Sequence, residues 1–76
     1  MDQDIALDIK RAIIAERLRL WRNTAYQAAI DLKVARRCDD ADLAADAKNV
    51  IARAEKLIAA YQQELQALLD SQARSG

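Results

Sequence analysis

The sequence predicts an all-α fold: an antiparallel two-helix hairpin of the coiled-coil kind that dimerises into a four-helix bundle. Three observations carry that expectation. Helix breakers are missing from the interior, since proline is absent and the single glycine is the terminal Gly76, while alanine and other strong helix formers recur throughout. Two heptad seams of apolar residues run through the two halves of the chain. Between them lies the polar stretch RRCDDADLA, from Arg36 to Ala44, where helix-forming sequence falters.

The first helix is expected over about residues 3–37. Its seam is Ile14, Leu18, Trp21, Ala25, Ala28, Leu32 and Ala35, with steps alternating four and three, the spacing that keeps one edge of a helix facing a partner. Trp21 reads as a core residue of that seam. Arg36 and Arg37 complement the negative end of the helix dipole. The turn is expected at about residues 38–40, where Asp39 or Asp40 can act as N-cap and Asp42 adds negative charge at the positive end of the next helix.

The second helix is expected over about residues 41–71, followed by a frayed tail at 72–76. Its seam is Ala44, Ala47, Ile51, Ala54, Ile58, Tyr61, Leu65 and Leu68. Folding the chain back sets Ile14 opposite Leu65, Leu18 opposite Tyr61, Trp21 opposite Ile58, Ala25 opposite Ala54, Ala28 opposite Ile51, Leu32 opposite Ala47 and Ala35 opposite Ala44. Each pair is centred between Asp39 and Asp40, inside the polar stretch. Bulky residues face alanines in several layers, the alternation that close packing requires. The rival to the hairpin is one uninterrupted helix of roughly 70 residues, which would exceed about 100 Å in length.

With 76 residues there is room for one domain and a thin core. The chain is neutral overall, with 12 basic and 12 acidic residues, so it has no net pull toward nucleic acid or anionic lipid. Residues 1–38 carry eight Lys/Arg and five Asp/Glu, and residues 39–76 carry four and seven, a difference that draws the halves together. The lone Cys38 cannot build a disulfide framework or a cysteine-based metal site. It fits a reducing cytoplasmic setting. Charges stud the first twenty residues, so no signal peptide is expected there, and no stretch has the roughly 18 apolar residues of a membrane span.

A second apolar stripe lies roughly opposite the seam of the first helix: Ile5, Ile9, Ile13, Leu20, Ile30, Val34 and Cys38. Leu43, Val50 and Leu57 flank the seam of the second helix. A hairpin alone cannot bury all of these, so they are expected to form a dimer or partner interface, with Cys38 buried as a small hydrophobe. A basic edge on the first helix, Arg19, Arg22, Tyr26, Lys33 and Arg37, reads as a solvated face, and otherwise as a surface for an anionic partner, either acidic protein or nucleic acid.

Catalytic signatures are missing. The chain has no histidine, no glycine-rich phosphate loop and no CxxC pair, so a non-enzymatic protein without cofactor or metal is expected. Asp39, Asp40, Asp42 and Asp46 lack the central glycine and distal glutamate of a calcium loop, and read as caps and solubilising charge.

The turn segment Asp40, Ala41, Asp42, then Ala45 and Asp46, resembles the turn of the repressor-of-primer family of plasmid RNA-binding proteins. That resemblance implies a helical hairpin that dimerises into a four-helix bundle. The family's RNA face centres on a phenylalanine, and this chain has none, so none of its RNA-contact residues carries over. The expected function is that of a homodimeric adaptor or regulator occupying a partner protein's surface, with nucleic-acid binding through the basic edge or a purely structural oligomer as alternatives.

Overall fold

The computed structural model describes residues 6–75, with side chains described for 6–71. Two helices account for nearly all of it: α1, Leu7–Arg37, and α2, Ala41–Ser75. They pack against each other as a hairpin measuring 55 × 18 × 15 Å. At about 1.5 Å per residue the two helices end to end would reach roughly 100 Å, so the uninterrupted helix is excluded.

The bend is built by two adjacent aspartates with different tasks. Asp39 has φ of 54°, the left-handed conformation that glycine usually supplies at a helix end. The Asp40 amide donates to the Ala35 carbonyl at 2.8 Å and the Asp39 amide to the Arg36 carbonyl at 3.4 Å. These two bonds form a Schellman closure, which satisfies carbonyls that α1 would otherwise leave open. Asp40 then caps α2, its Oδ1 accepting the Leu43 amide at 3.0 Å while its carbonyl accepts the Ala44 amide at 3.0 Å. One residue ends a helix and the next begins another, which explains how the chain reverses without glycine or proline.

The far ends of the helices differ from expectation. The expected start near residue 3 lies outside the described residues; α1 begins at Leu7, after an extended Ala6 with φ −57° and ψ 148°. Its carbonyl accepts the amides of Ile9 and Lys10 at 3.0 and 3.1 Å, and no side chain caps this end. Residues 1–5, including Ile5 of the apolar stripe, lie outside the described residues. α2 stays helical through Ser75, four residues beyond the expected end, since Gln, Ala and Arg favour helix and no breaker precedes Gly76. The side chains of the expected tail at 72–76 lie outside the described residues.

The core is the pair of seams. Among the described residues the buried ones are Leu18, Ala28, Ala35, Ala47 and Ala54, all seam positions, and every remaining seam residue is half-buried. Four of the five are alanines, and Ala54 is wholly covered. The helices therefore approach closely along the half nearer the bend, where alanines alternate with larger residues. Toward the open ends, Ile14, Tyr61, Leu65 and Leu68 leave the interior half-exposed. Ala35 and Ala44 line one hollow at the bend, as the register centred on Asp39 and Asp40 requires, while near the open end Ile14 lines a hollow with Leu68 rather than with Leu65.

Candidate functional site

So thin a core leaves much apolar surface in water. The chain exposes 5799 Å², against about 4,700 Å² for a compact monomer of its mass. The difference, roughly 1,100 Å², follows from the elongated shape of a two-helix hairpin, 55 × 18 × 15 Å. Large aliphatic side chains supply part of it: Ile9, Ile13, Leu20, Ile30, Val34 and Val50 are exposed, by 39% for Val50 up to 50% for Ile9. Five of these belong to the stripe opposite the α1 seam. Periodicity puts them there, because two positions in each heptad of α1 point directly away from α2.

Leu43 and Leu57 behave differently, being half-buried. They occupy the same heptad position as Val50, one step from the α2 seam, so the hairpin itself shelters them in part. Cys38 is exposed on the single hairpin, as are Ile9, Ile13, Leu20, Ile30 and Val34 of the same stripe. Cys38 sits just past the last turn of α1, as the C-cap residue of that helix.

At the open end the apolar surface deepens into a groove of about 430 Å³, lined by Ile13, Ile14, Ala67 and Leu68 with Lys10 and Glu64 among its walls. Sequence periodicity alone does not show this groove. It lies between the large residues of the two helices at the end where no third element fills the space.

On the basic edge, Arg19, Arg22, Tyr26, Lys33 and Arg37 are all exposed. Tyr26 is 70% exposed, so its ring stands in solvent with little cover from neighbouring stems. Arg19 is engaged within its own helix, its Nη2 lying 2.6 Å from Glu16 Oε2 and its Nε donating to Oε1 at 3.0 Å. That hydrogen bond lowers the Glu16 carboxyl below its ordinary value and, with the carboxylate's charge, raises the Arg19 guanidinium. Arg19 is thereby engaged with a carboxylate, leaving Arg22, Lys33 and Arg37 as the edge's reach toward an anion.

A second cationic contact lies across the helix pair. Arg53 of α2 places its guanidinium carbon 5.7 Å from the centroid of the Trp21 ring, within cation–π range. Trp21 is half-buried, as its seam position implies; the arginine over it was not evident, because α2 reads at that point as an ordinary charged surface. Among the described residues no group of three or more His, Cys, Asp or Glu is placed to hold a metal ion, and no helix is long and apolar enough to cross a membrane.

Compared with known proteins, the chain matches no family model, no curated protein and no solved structure.

Proposed function

We propose that this chain is a small non-enzymatic interaction module that works as a homodimer and occupies the surface of a partner protein, as adaptors and small regulators do. The observation that carries the reading is the set of six large aliphatic side chains standing 39–50% exposed on a two-helix hairpin. Each is already half covered, so complete burial contributes only about 1 kcal/mol apiece. Six contribute about 6 kcal/mol from one copy, in the lower part of the ~4–15 kcal/mol that association costs. Two copies, each burying the five that lie on the α1 stripe, contribute about 10 kcal/mol, which favours a partner that brings an equivalent apolar surface.

The experiment compares wild type with Ile13→Asp by sedimentation and by affinity capture from nuclease-treated lysate. Wild type is expected to sediment as a dimer and Ile13→Asp as a monomer, with loss of the captured partner, whereas Arg22→Ala/Lys33→Ala retains both. A wild-type monomer at micromolar concentration overturns the dimer. One observation favours a second reading, in which the basic edge binds structured nucleic acid: Tyr26 stands free beside Arg22, in a position to stack on a base. Binding of that kind would weaken steeply with salt and would be lost in Arg22→Ala/Lys33→Ala.

A further inference from the structure

Building on the homodimer reading, we infer that the partner on the exposed stripe is a second copy of the chain, with its α1 lying antiparallel on this α1 about a two-fold axis beside Trp21 and Arg22. A two-fold interface must be self-complementary, so that each residue meets its counterpart's opposite number in both directions. The exposed stripe has that property. About the peptide between Trp21 and Arg22, Ile9 falls opposite Val34 and Ile13 opposite Ile30, while Glu16 meets Gln27 and Leu20 meets Asn23. All four of the paired aliphatics are exposed. The polar pair lies between the aliphatic pairs and the centre, and the Glu16 charge is already answered by Arg19 at 2.6 Å.

The stripe is irregular, so its symmetry is informative: a strictly periodic seam would match itself in many registers. Sliding by one heptad sets Ile13 against Asn23 in one direction and against Arg37 in the other. The flanks agree with the same axis. Asp31 falls between Lys10 and Arg17 of the second copy, and Tyr26 lies beside its Arg19, giving an ion pair on one side and a cation–aromatic contact on the other. A parallel arrangement also matches aliphatics, but it stacks Glu16 on Glu16 and brings together two bends that each carry Asp39, Asp40, Asp42 and Asp46. The antiparallel arrangement sets each acidic bend at the other copy's open end.

Because the stripe lies opposite the α1 seam, the two α1 helices sit at the centre and the two α2 helices outside. The result is an elongated four-helix layer, in which Lys10 and Ile13 of the open-end groove and Arg19 and Tyr26 of the basic edge lie at the interface.

The test uses the full chain and its single native cysteine. Spin labels on Cys38, which is exposed, should lie about 50 Å apart in the dimer, the axial separation of two positions each some 16 residues from the axis. A dimer with labels closer than about 25 Å, or displaced by about 10 Å toward a neighbouring heptad register, overturns this arrangement and leaves the homodimer standing. A monomeric mass at all concentrations, with the stripe covered only when another protein is added, overturns both. Asp31→Lys should weaken dimerisation about three- to tenfold without loss of helicity, and Lys10→Asp in the same chain should recover most of the loss. Unchanged dimerisation in Asp31→Lys contradicts the flanking contacts and with them the axis.

Discussion

Replacing Asp39 by glycine should stabilise this protein, and the sign of the effect separates a reversing chain from a continuous helix. Asp39 holds φ of 54°, a conformation that costs an ordinary L-residue about 1–2 kcal/mol and aspartate somewhat less. Glycine removes that cost but gives the unfolded chain more freedom, an opposing term of about 0.4–1 kcal/mol. The Asp39 charge lies near the unfavourable end of the α1 dipole and the favourable end of α2, so its removal is close to neutral. The net expectation is a gain of about 0.5 kcal/mol for Asp39→Gly and a loss of about 0.5–1 kcal/mol for Asp39→Ala, which keeps the Cβ and loses the aspartate's tolerance of this region. For a domain of this size such changes move the midpoint by about 2–8 °C, and thermal denaturation by circular dichroism at fixed protein concentration measures them. In an uninterrupted helix the order inverts, because alanine is the best helix former and glycine costs about 1 kcal/mol relative to it. Asp39→Ala melting above Asp39→Gly would therefore refute the bend geometry.

Two further expectations follow from the core and from the intrahelical ion pair. Ala54 is fully covered between the helices, so Ala54→Leu should cost about 1–3 kcal/mol by overpacking, while Ala→Leu at the exposed Ala52 should be nearly neutral; urea unfolding of both variants reads the contrast. The Glu16 carboxyl is held below its ordinary value by the Arg19 hydrogen bond, so the pair contributes above the unfolded carboxyl's titration range and the contribution is lost as pH falls through the lowered folded value. Glu16→Gln should accordingly show a shallower loss of thermal stability on acidification than wild type.

Much of this architecture was legible before any coordinates, for reasons that particular residues make plain. Ile14 to Ala35 and Ala44 to Leu68 repeat at the coiled-coil spacing, so the buried edge of each helix follows from chain periodicity alone, and every described seam residue is buried or half-buried. The exposed stripe was legible for the same reason, since Ile9, Ile13, Leu20, Ile30 and Val34 lie on the face that a single neighbouring helix cannot reach. Helix ends were less legible. Ala6 and residues 72–75 carry no breaker or strong cap, and fraying depends on small local free-energy differences.

The sequence by itself determined two amphipathic helices, the edges they present and the middle of the chain as the place of reversal, because these depend on spacing and on local residue chemistry. The tertiary structure decided which aspartate turns the chain and which caps α2, since either residue type tolerates the left-handed region and either can accept an amide. It also decided that Arg53 covers Trp21 and that a groove opens between Ile13 and Leu68. Those outcomes depend on how far apart two helices stand at each level, a distance set jointly by the alanines near the bend and the larger side chains beyond them.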